Sequence, residues 1–407
     1  MLAQKSSITT HLGRNVFYLA YSILLLKNLI DHSTIQVFFP TESFLYNNIF
    51  RVLSYFLILF KFFTQDKNTK NIILLYAGVL LLSGIVFLCS NEGYVIDIAV
   101  LVVGAQGVDF KSIVKIFFIF NTLATIILML LSISGVIINF KIYGEYGGQK
   151  LERYSFGSTY PTDFAARLFY IELAYSYLRK NKHNFLYLIF WIAVGLFTWF
   201  FCRARLNTTL IIFLAVAVFI NAEFPKFYKC KVSKFVLMYS MILCCVVAIL
   251  LHALYSVDNS LLYRLNNMLS DRLRLGRKGI DDYGFSLFGK FIEMNGNGFT
   301  TKEIDWSNGY FFIDSGFLKI ALSNGIIYLL FFVAVFTSAA KDAVKNNNII
   351  LSIIILFLAL TSIVDHHIVE VGYNPFIFLI TGVILNSKSR CDKELSKCSD
   401  NKEKVMQ

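Results

Sequence analysis

Residues 184–221, NFLYLIFWIAVGLFTWFFCRARLNTTLIIFLAVAVFIN, hold two strongly apolar runs joined by a hinge in which Arg203 and Arg205 stand. Each run is close to the length of α-helix that crosses about 30 Å of hydrocarbon. Only a few residues turn the chain between them. Two permanent charges at such a turn need a reason.

The rest of the chain repeats this pattern. Of its 407 residues 57% are hydrophobic and only 16% charged, with a mean hydropathy of +0.62, which excludes a soluble globular domain. Apolar blocks predict about twelve helices near 15–31, 48–64, 71–89, 94–109, 112–138, 161–178, 184–201, 206–222, 232–255, 311–338, 348–364 and 370–386. The fourth is the weakest because it is short and carries Asp97. The N-terminal run follows Arg14, contains Lys27 and has no small-residue cleavage site, so it reads as a first anchor rather than a signal peptide. The expected fold class is an all-α integral membrane protein: one polytopic domain over 1–407, a long extracytoplasmic loop at 256–310 and a charged cytoplasmic tail at 387–407.

Orientation follows from the connections. KFFTQDKNTK, RKNKHN, NAEFPKFYKCKVSK, KDAVKNNN and the tail are rich in lysine, whereas DHSTIQVFFPTES, SNEG and DHHIVEV have neither Lys nor Arg. Both termini are therefore expected inside. The net charge of +12 reads as lysine facing anionic lipid, and nucleic acid is not an expected partner.

Three outer segments break the lysine rule: 139–160 with Arg153, the Arg203/Arg205 hinge, and the long loop with Arg264, Arg272, Arg274 and Arg277. Arginine offers a planar fork that grips phosphate or carboxylate through two bonds, so the outer face is expected to hold an anion. The bland alternative is snorkelling to headgroups, which is how Lys27 and Arg51 are read. Asp163, Arg167 and Glu172 inside the sixth run are expected to face the protein interior or a wet cavity, and Asp163 to pair with Arg167 four residues on. Asp281–Asp282 is read as a solvated turn. Seven cysteines show neither disulfide nor zinc spacing. Gly157, Pro161 and Gly316 are read as backbone devices, with Pro161 in a first helical turn.

At three places the residues resemble a family. LERYSFGSTYPTDFAARLFY, FTWFFCRARLNTTLIIFLAV and NGYFFIDSGFLKIALSNGIIYLL are similar, in order and placement, to segments of Wzy-type bacterial polysaccharide polymerases and the related O-antigen ligases. The resemblance covers most of 139–338. It implies a GT-C-like membrane glycosyltransferase of the bacterial cytoplasmic membrane with its site facing outward. Such an enzyme moves a growing glycan from undecaprenyl diphosphate to a sugar hydroxyl of the next repeat unit, without a cofactor or a metal.

Partners implied are the lipid-linked glycan, membrane lipid, a chain-length regulator and a flippase of the same pathway. The departing lipid diphosphate gains negative charge that must be stabilised. With no Asp-x-Asp pair in the outer segments, Arg203 and Arg205 are expected to grip it, helped by Arg272 or Arg274, with Arg153, Arg264 and Tyr310 as further substrate contacts. Asp314 stands where the ligase pattern has His and is the expected general base; a helix cap is its plainer reading. In SIVDHHIVEVGYN, His366 and Glu370 at i, i+4 have metal-ligand spacing, but the segment is read as a polar connecting loop and no metal is expected. His367 is an alternative base or substrate contact. Two other functions stay open: a ligase of the same superfamily, which His at 314 would have favoured, and a flippase or transporter for lipid-linked sugars, which would need no long outer loop.

Overall fold

The computed structural model describes residues 2–39, 44–64, 70–146, 149–179, 184–301 and 309–385. The tail expected at 387–407, with Cys391 and Cys398, lies outside the described residues.

The chain is mostly helical, at 74%. Its helices are α1 (Leu2–Asp31), α2 (Phe44–Thr64), α3 (Lys70–Ser90), α4 (Tyr94–Gly104), α5 (Phe110–Ile133), α6 (Pro161–Arg179), α7 (Phe185–Phe197), α8 (Arg205–Glu223) and α9 (Lys231–Ala253). They continue with α10 (Ser260–Met268), α11 (Arg272–Tyr283), α12 (Gly316–Lys319), α13 (Ile326–Lys345), α14 (Ile349–Thr361) and α15 (Pro375–Leu385). Among the described residues, six helices are long and apolar enough to cross a membrane: those within α3, α5, α8, α9 and α13, and α7 with the π-helical turn Thr198–Cys202 that extends it.

Where the apolar side chains point explains this architecture. On α3, Leu74, Leu81 and Leu88 recur every seven residues and are exposed. On α5, Leu123, Ile126, Leu130 and Ile133 are exposed while Ile113, Phe117, Ala124 and Leu128 are buried. Such continuous apolar exposure suits lipid and not water. Helix α14 is predominantly apolar and buried almost throughout, so it is the centre of the bundle.

Two of the buried charges, Asp97 and Lys27, are paired. Asp97, which weakens the fourth run, accepts two hydrogen bonds from Arg51 Nε and Nη2 at 3.0 and 3.1 Å and one from Tyr55 Oη at 2.6 Å. Arg51 therefore ties α2 to α4 and does not snorkel. Lys27 pairs with Asp31 within α1 at 2.5 Å. Helix α6 starts at Pro161 as expected, and its Arg167 and Glu172 are wholly enclosed.

The sequence expectations need correction in four places. Segment 139–160, expected without strands, folds into an antiparallel hairpin, β1 (Lys141–Tyr146) on β2 (Gln149–Tyr154), with Lys141 opposite Tyr154. Outside the apolar phase an alternating stretch such as KIYGEY satisfies its backbone by pairing with a neighbour as readily as in a helix. The single helix expected over 311–338 is broken: α12 runs into a π-helical turn at Ile320–Asn324, Gly325 adopts φ +90°, and α13 starts afresh. The run expected at 370–386 becomes helical only from Pro375, because 365–374 is spent on turns. Asp281 and Asp282 are exposed, as expected, but lie in α11 rather than in a turn, and Asp281 pairs with Arg277 at 2.9 Å.

The long loop is partly helical, through α10 and α11, and packs onto the bundle. Ile326 N–H donates to the Ser286 carbonyl at 2.9 Å and Lys290 N–H to that of Ser323 at 3.1 Å. Gly289 and Gly325 face one another there, and a Cβ on either would collide with the other strand of backbone. Gly325→Ala should therefore lower the thermal unfolding temperature of the detergent-solubilised protein, backbone strain alone costing about 1–3 kcal/mol. An unchanged unfolding temperature would mean that this part of the loop does not dock.

Candidate active site

One end of the bundle carries the hairpin, the long loop and the turns at 32–39 and 365–374, tied together by backbone. Thr34 N–H donates to the Gly157 carbonyl at 2.8 Å, Phe299 N–H to that of Thr159 at 2.8 Å, and Gly316 N–H to that of Asp365 at 3.0 Å. The last contact explains Gly316, where a Cβ would stand 2.8 Å from the Asp365 carbonyl oxygen. The candidate site lies at this loop-bearing end.

Its first part is the hinge. After the π-helical turn at Thr198–Cys202, Arg203 takes the left-handed conformation, φ 52° and ψ 36°. A non-glycine residue there stores strain of about 1–3 kcal/mol and persists only where its surroundings enforce it. Arg203 is half-buried and Arg205, the first residue of α8, is exposed. Cys202, at the serine place of the resembled motif, is fully buried. Its carbonyl accepts from Arg153 Nε at 3.1 Å, which joins the hairpin to the hinge. The Arg153 guanidinium lies over the Tyr160 ring, 5.5 Å from its centroid.

The second part is Arg272 with Asp314. Arg272 Nε stands 3.2 Å from Asp314 Oδ2, both side chains about four-fifths covered. Burial disfavours the Arg272 charge, but Asp314 and Asp365 outweigh it and hold its pKa above the ordinary value. Asp314 does not cap the helix after it; Ser315 does, accepting from Leu318 N–H. Tyr160 is the common neighbour. Burial raises its phenol pKa, and the charges acting on it are those of Arg153, Asp163, Asp314 and Arg272. Tyr310 stands beside this group, partly open to solvent. Arg274 pairs with Asp271 at 3.3 Å in an open position, and Arg264 is exposed on α10.

The third part is a cluster around Glu370. His367 Nδ1 lies 3.0 Å from Glu370 Oε2, His32 Nε2 3.4 Å from that oxygen, and His366 Nε2 3.3 Å from Oε1. On its other side His367 Nε2 faces Asp163 Oδ1 at 3.7 Å. The His367 ring stacks on Tyr373 with centroids 4.0 Å apart, and Arg167 lies against the same tyrosine. Burial works against a charge on His367, but Asp365 and Glu370 raise its pKa well above the ordinary imidazole value. Burial would raise Glu370, yet His32 and His367 hold it well below the carboxylate range. His32 goes the other way: burial lowers its pKa more than Glu370 and Asp163 raise it.

Segment 365–374 is thus not the plain polar connection expected. Nor does Asp163 pair with Arg167: among the described residues Asp163 turns to His367 and Thr159, while Arg167 turns to Tyr373. Donor atoms of Asp365, His366 and His367 lie within 4.8 Å of one another, the geometry of a metal group. Here Asp365 Oδ1 accepts from His367 N–H at 2.9 Å, and both His367 nitrogens face carboxylates. These groups are directed at each other rather than at a common point.

Of the residues expected to act, Arg153, Arg203, Arg272, Asp314 and Tyr310 are brought to one end with His367, whereas Arg264 and Arg274 stand on the open surface. Sequence reasoning missed His32, Tyr160, Tyr373 and the part played by Asp163. One signal was available: the connections DHSTIQ and DHHIVE, free of Lys and Arg, both begin Asp-His, and their histidines meet at Glu370. No known family model matches this sequence, and no curated protein or solved structure matches it.

Glu370→Gln tests the cluster. Breaking a buried charge pair typically costs about 3–5 kcal/mol, so the unfolding temperature should fall clearly. The Glu370 contribution is present above the unfolded carboxylate pKa and lost as pH falls through its depressed folded value. That of His367 is present below the unfolded imidazole pKa and lost as pH rises through its raised folded value. The gap between wild type and variant should be widest between about pH 4.3 and 6.5 and shrink as acid protonates Glu370 in the wild type. A gap independent of pH would deny the ion pair.

Proposed function

We propose that the protein is a metal-independent membrane glycosyltransferase of the polysaccharide polymerase class. It transfers a growing glycan from undecaprenyl diphosphate to a hydroxyl of the next lipid-linked repeat unit. The observation that carries this reading is the convergence of arginines from three separate segments. Arg153 of the hairpin is bonded to the hinge that carries Arg203, and both Arg153 and Arg272 act on Tyr160.

The chemistry matches this arrangement. As the glycosidic C–O bond breaks, charge develops on the departing diphosphate, and guanidinium forks fixed beforehand stabilise it without reorganising. Arg203, held in a strained conformation next to the Cys202 carbonyl that Arg153 bonds, is the residue proposed to grip the diphosphate, with Arg272 and the exposed Arg205 assisting. The proposal includes a GT-C-like arrangement of about twelve spans in the bacterial cytoplasmic membrane, both termini inside and the loop-bearing end outside. A flippase and a chain-length regulator of the same pathway are the proposed partners. A ligase would use the same cradle with another acceptor; Asp rather than His at 314 favours the polymerase.

The buried Arg167 and Glu172 favour a transporter as the second reading. Yet Arg167 meets Tyr373 on one side of α6 and Glu172 meets Tyr187 of α7 on another, so their contacts do not form one polar path.

The purified protein, given undecaprenyl-diphosphate oligosaccharide repeats in excess chelator, should produce a ladder of products. Arg203→Ala should lower the rate by about 10²–10³-fold, as for loss of one oxyanion-hole donor, while the protein still inserts. Unaltered glycan length in that variant would remove Arg203 from the site, and unchanged substrate with the wild type would remove the polymerase reading.

A further inference from the structure

A transfer of this kind needs a group that takes the proton of the attacking hydroxyl, and the position expected for it from sequence is occupied by an ion pair. Asp314 lies 3.2 Å from Arg272. The carboxylate is engaged by the guanidinium, and its geometry suits holding Arg272 in place.

We propose that Asp163, backed by His367 and Glu370, is the general base that takes the proton from the attacking sugar hydroxyl. The assignment rests on the glycosyltransferase reading above. Asp163 stands in the first turn of α6, three residues after Tyr160, over which Arg153 lies. Its carboxylate is therefore beside the anion cradle, and it keeps some exposure, 16% of the side chain. Thr159 Oγ1 donates to Oδ2 at 2.8 Å and fixes the rotamer. Oδ1 faces His367 Nε2 at 3.7 Å, beyond hydrogen-bond reach, so the imidazole steadies this oxygen without being bonded to it.

His367 itself is held from three sides. Glu370 engages Nδ1 at 3.0 Å, Tyr373 stacks on the ring at 4.0 Å, and Asp365 accepts from the backbone N–H at 2.9 Å. The remaining titratable and charged groups around the pair are His32 at the end of α1, His366, and Arg167 beyond Tyr373. An acidic residue with an imidazole behind it, oriented in turn by a second carboxylate, is an arrangement that positions a base.

The step balances. The hydroxyl proton moves to Asp163 Oδ1, and the oxygen's electron pair forms the new bond to the anomeric carbon. The C–O bond to diphosphate breaks with its electron pair leaving on the diphosphate, which Arg203 and Arg272 hold. Asp163 is the catalytic residue; His367, Glu370 and Thr159 position it, and Asp314 positions Arg272.

The test uses full-length protein in detergent and lipid-linked oligosaccharide extracted from cells that lack this protein. Asp163→Asn should lower kcat by about 10²–10⁴-fold, the usual contribution of general acid–base catalysis, with KM little changed. Asp163→Glu should recover part of the rate. Thr159→Val, a milder change, should displace the acid limb of the kcat–pH profile, a shift that a merely structural role would not produce. Asp314→Asn should raise KM more than it lowers kcat, through loosened Arg272. Wild-type kcat in Asp163→Asn, or an unmoved acid limb in Thr159→Val, overturns the assignment of Asp163 while the wild-type ladder upholds the polymerase. Absence of a ladder from the wild type overturns the reading on which the assignment stands, and the assignment with it.

Discussion

The loop-bearing end depends on how a charge is kept where water is scarce. His367 is buried, and an imidazolium there is tolerated only because Glu370 stands at one ring nitrogen and Asp163 beyond the other. These partners come from different parts of the chain: Asp163 opens α6, Glu370 precedes α15, and His32, which also reaches Glu370, closes α1. Satisfying one charge therefore fixes where three helix ends meet. The Arg272–Asp314 pair fixes the long loop against the segment before α12 by the same logic.

On this frame the arginines become a site rather than a set of surface charges. Arg153 is fixed by the Cys202 carbonyl and by Tyr160, and Arg203 by a turn whose left-handed backbone only a packed neighbourhood sustains. Fixed positive charge is worth more than mobile charge, because nothing has to reorganise when an anion forms beside it. The exposed Arg264 and the openly paired Arg274 have no such support, which separates them from Arg153 and Arg272 despite the same residue type.

Elsewhere the bundle obeys the membrane's rules. Exposed leucines at seven-residue spacing on α3 and a predominantly apolar, buried α14 need no explanation beyond lipid outside and close packing within. Two of the polar exceptions have partners: Asp97 meets Arg51 and Tyr55, and one Glu172 oxygen meets Tyr187. The broken helix at Gly325 lies at the loop-bearing end, where the freed Ile326 and Ile327 N–H groups donate to the Ser286 and Leu287 carbonyls.

Hydropathy alone determined the helical membrane class, the positions of the apolar runs, the start of α6 at Pro161 and the concentration of arginine in three connections, because run length and residue type are local properties that lipid reads directly. The hairpin in 141–154 was not legible, since outside the apolar phase a strand competes with a loop on pairing that only the fold supplies. Nor was the choice of partner. Asp163 is spaced to meet Arg167 and meets His367 instead; Asp314 looks free and is paired with Arg272; His32 and Glu370 lie more than three hundred residues apart and touch. Ion pairs between distant segments follow from where helix ends converge, and that convergence belongs to the tertiary structure alone.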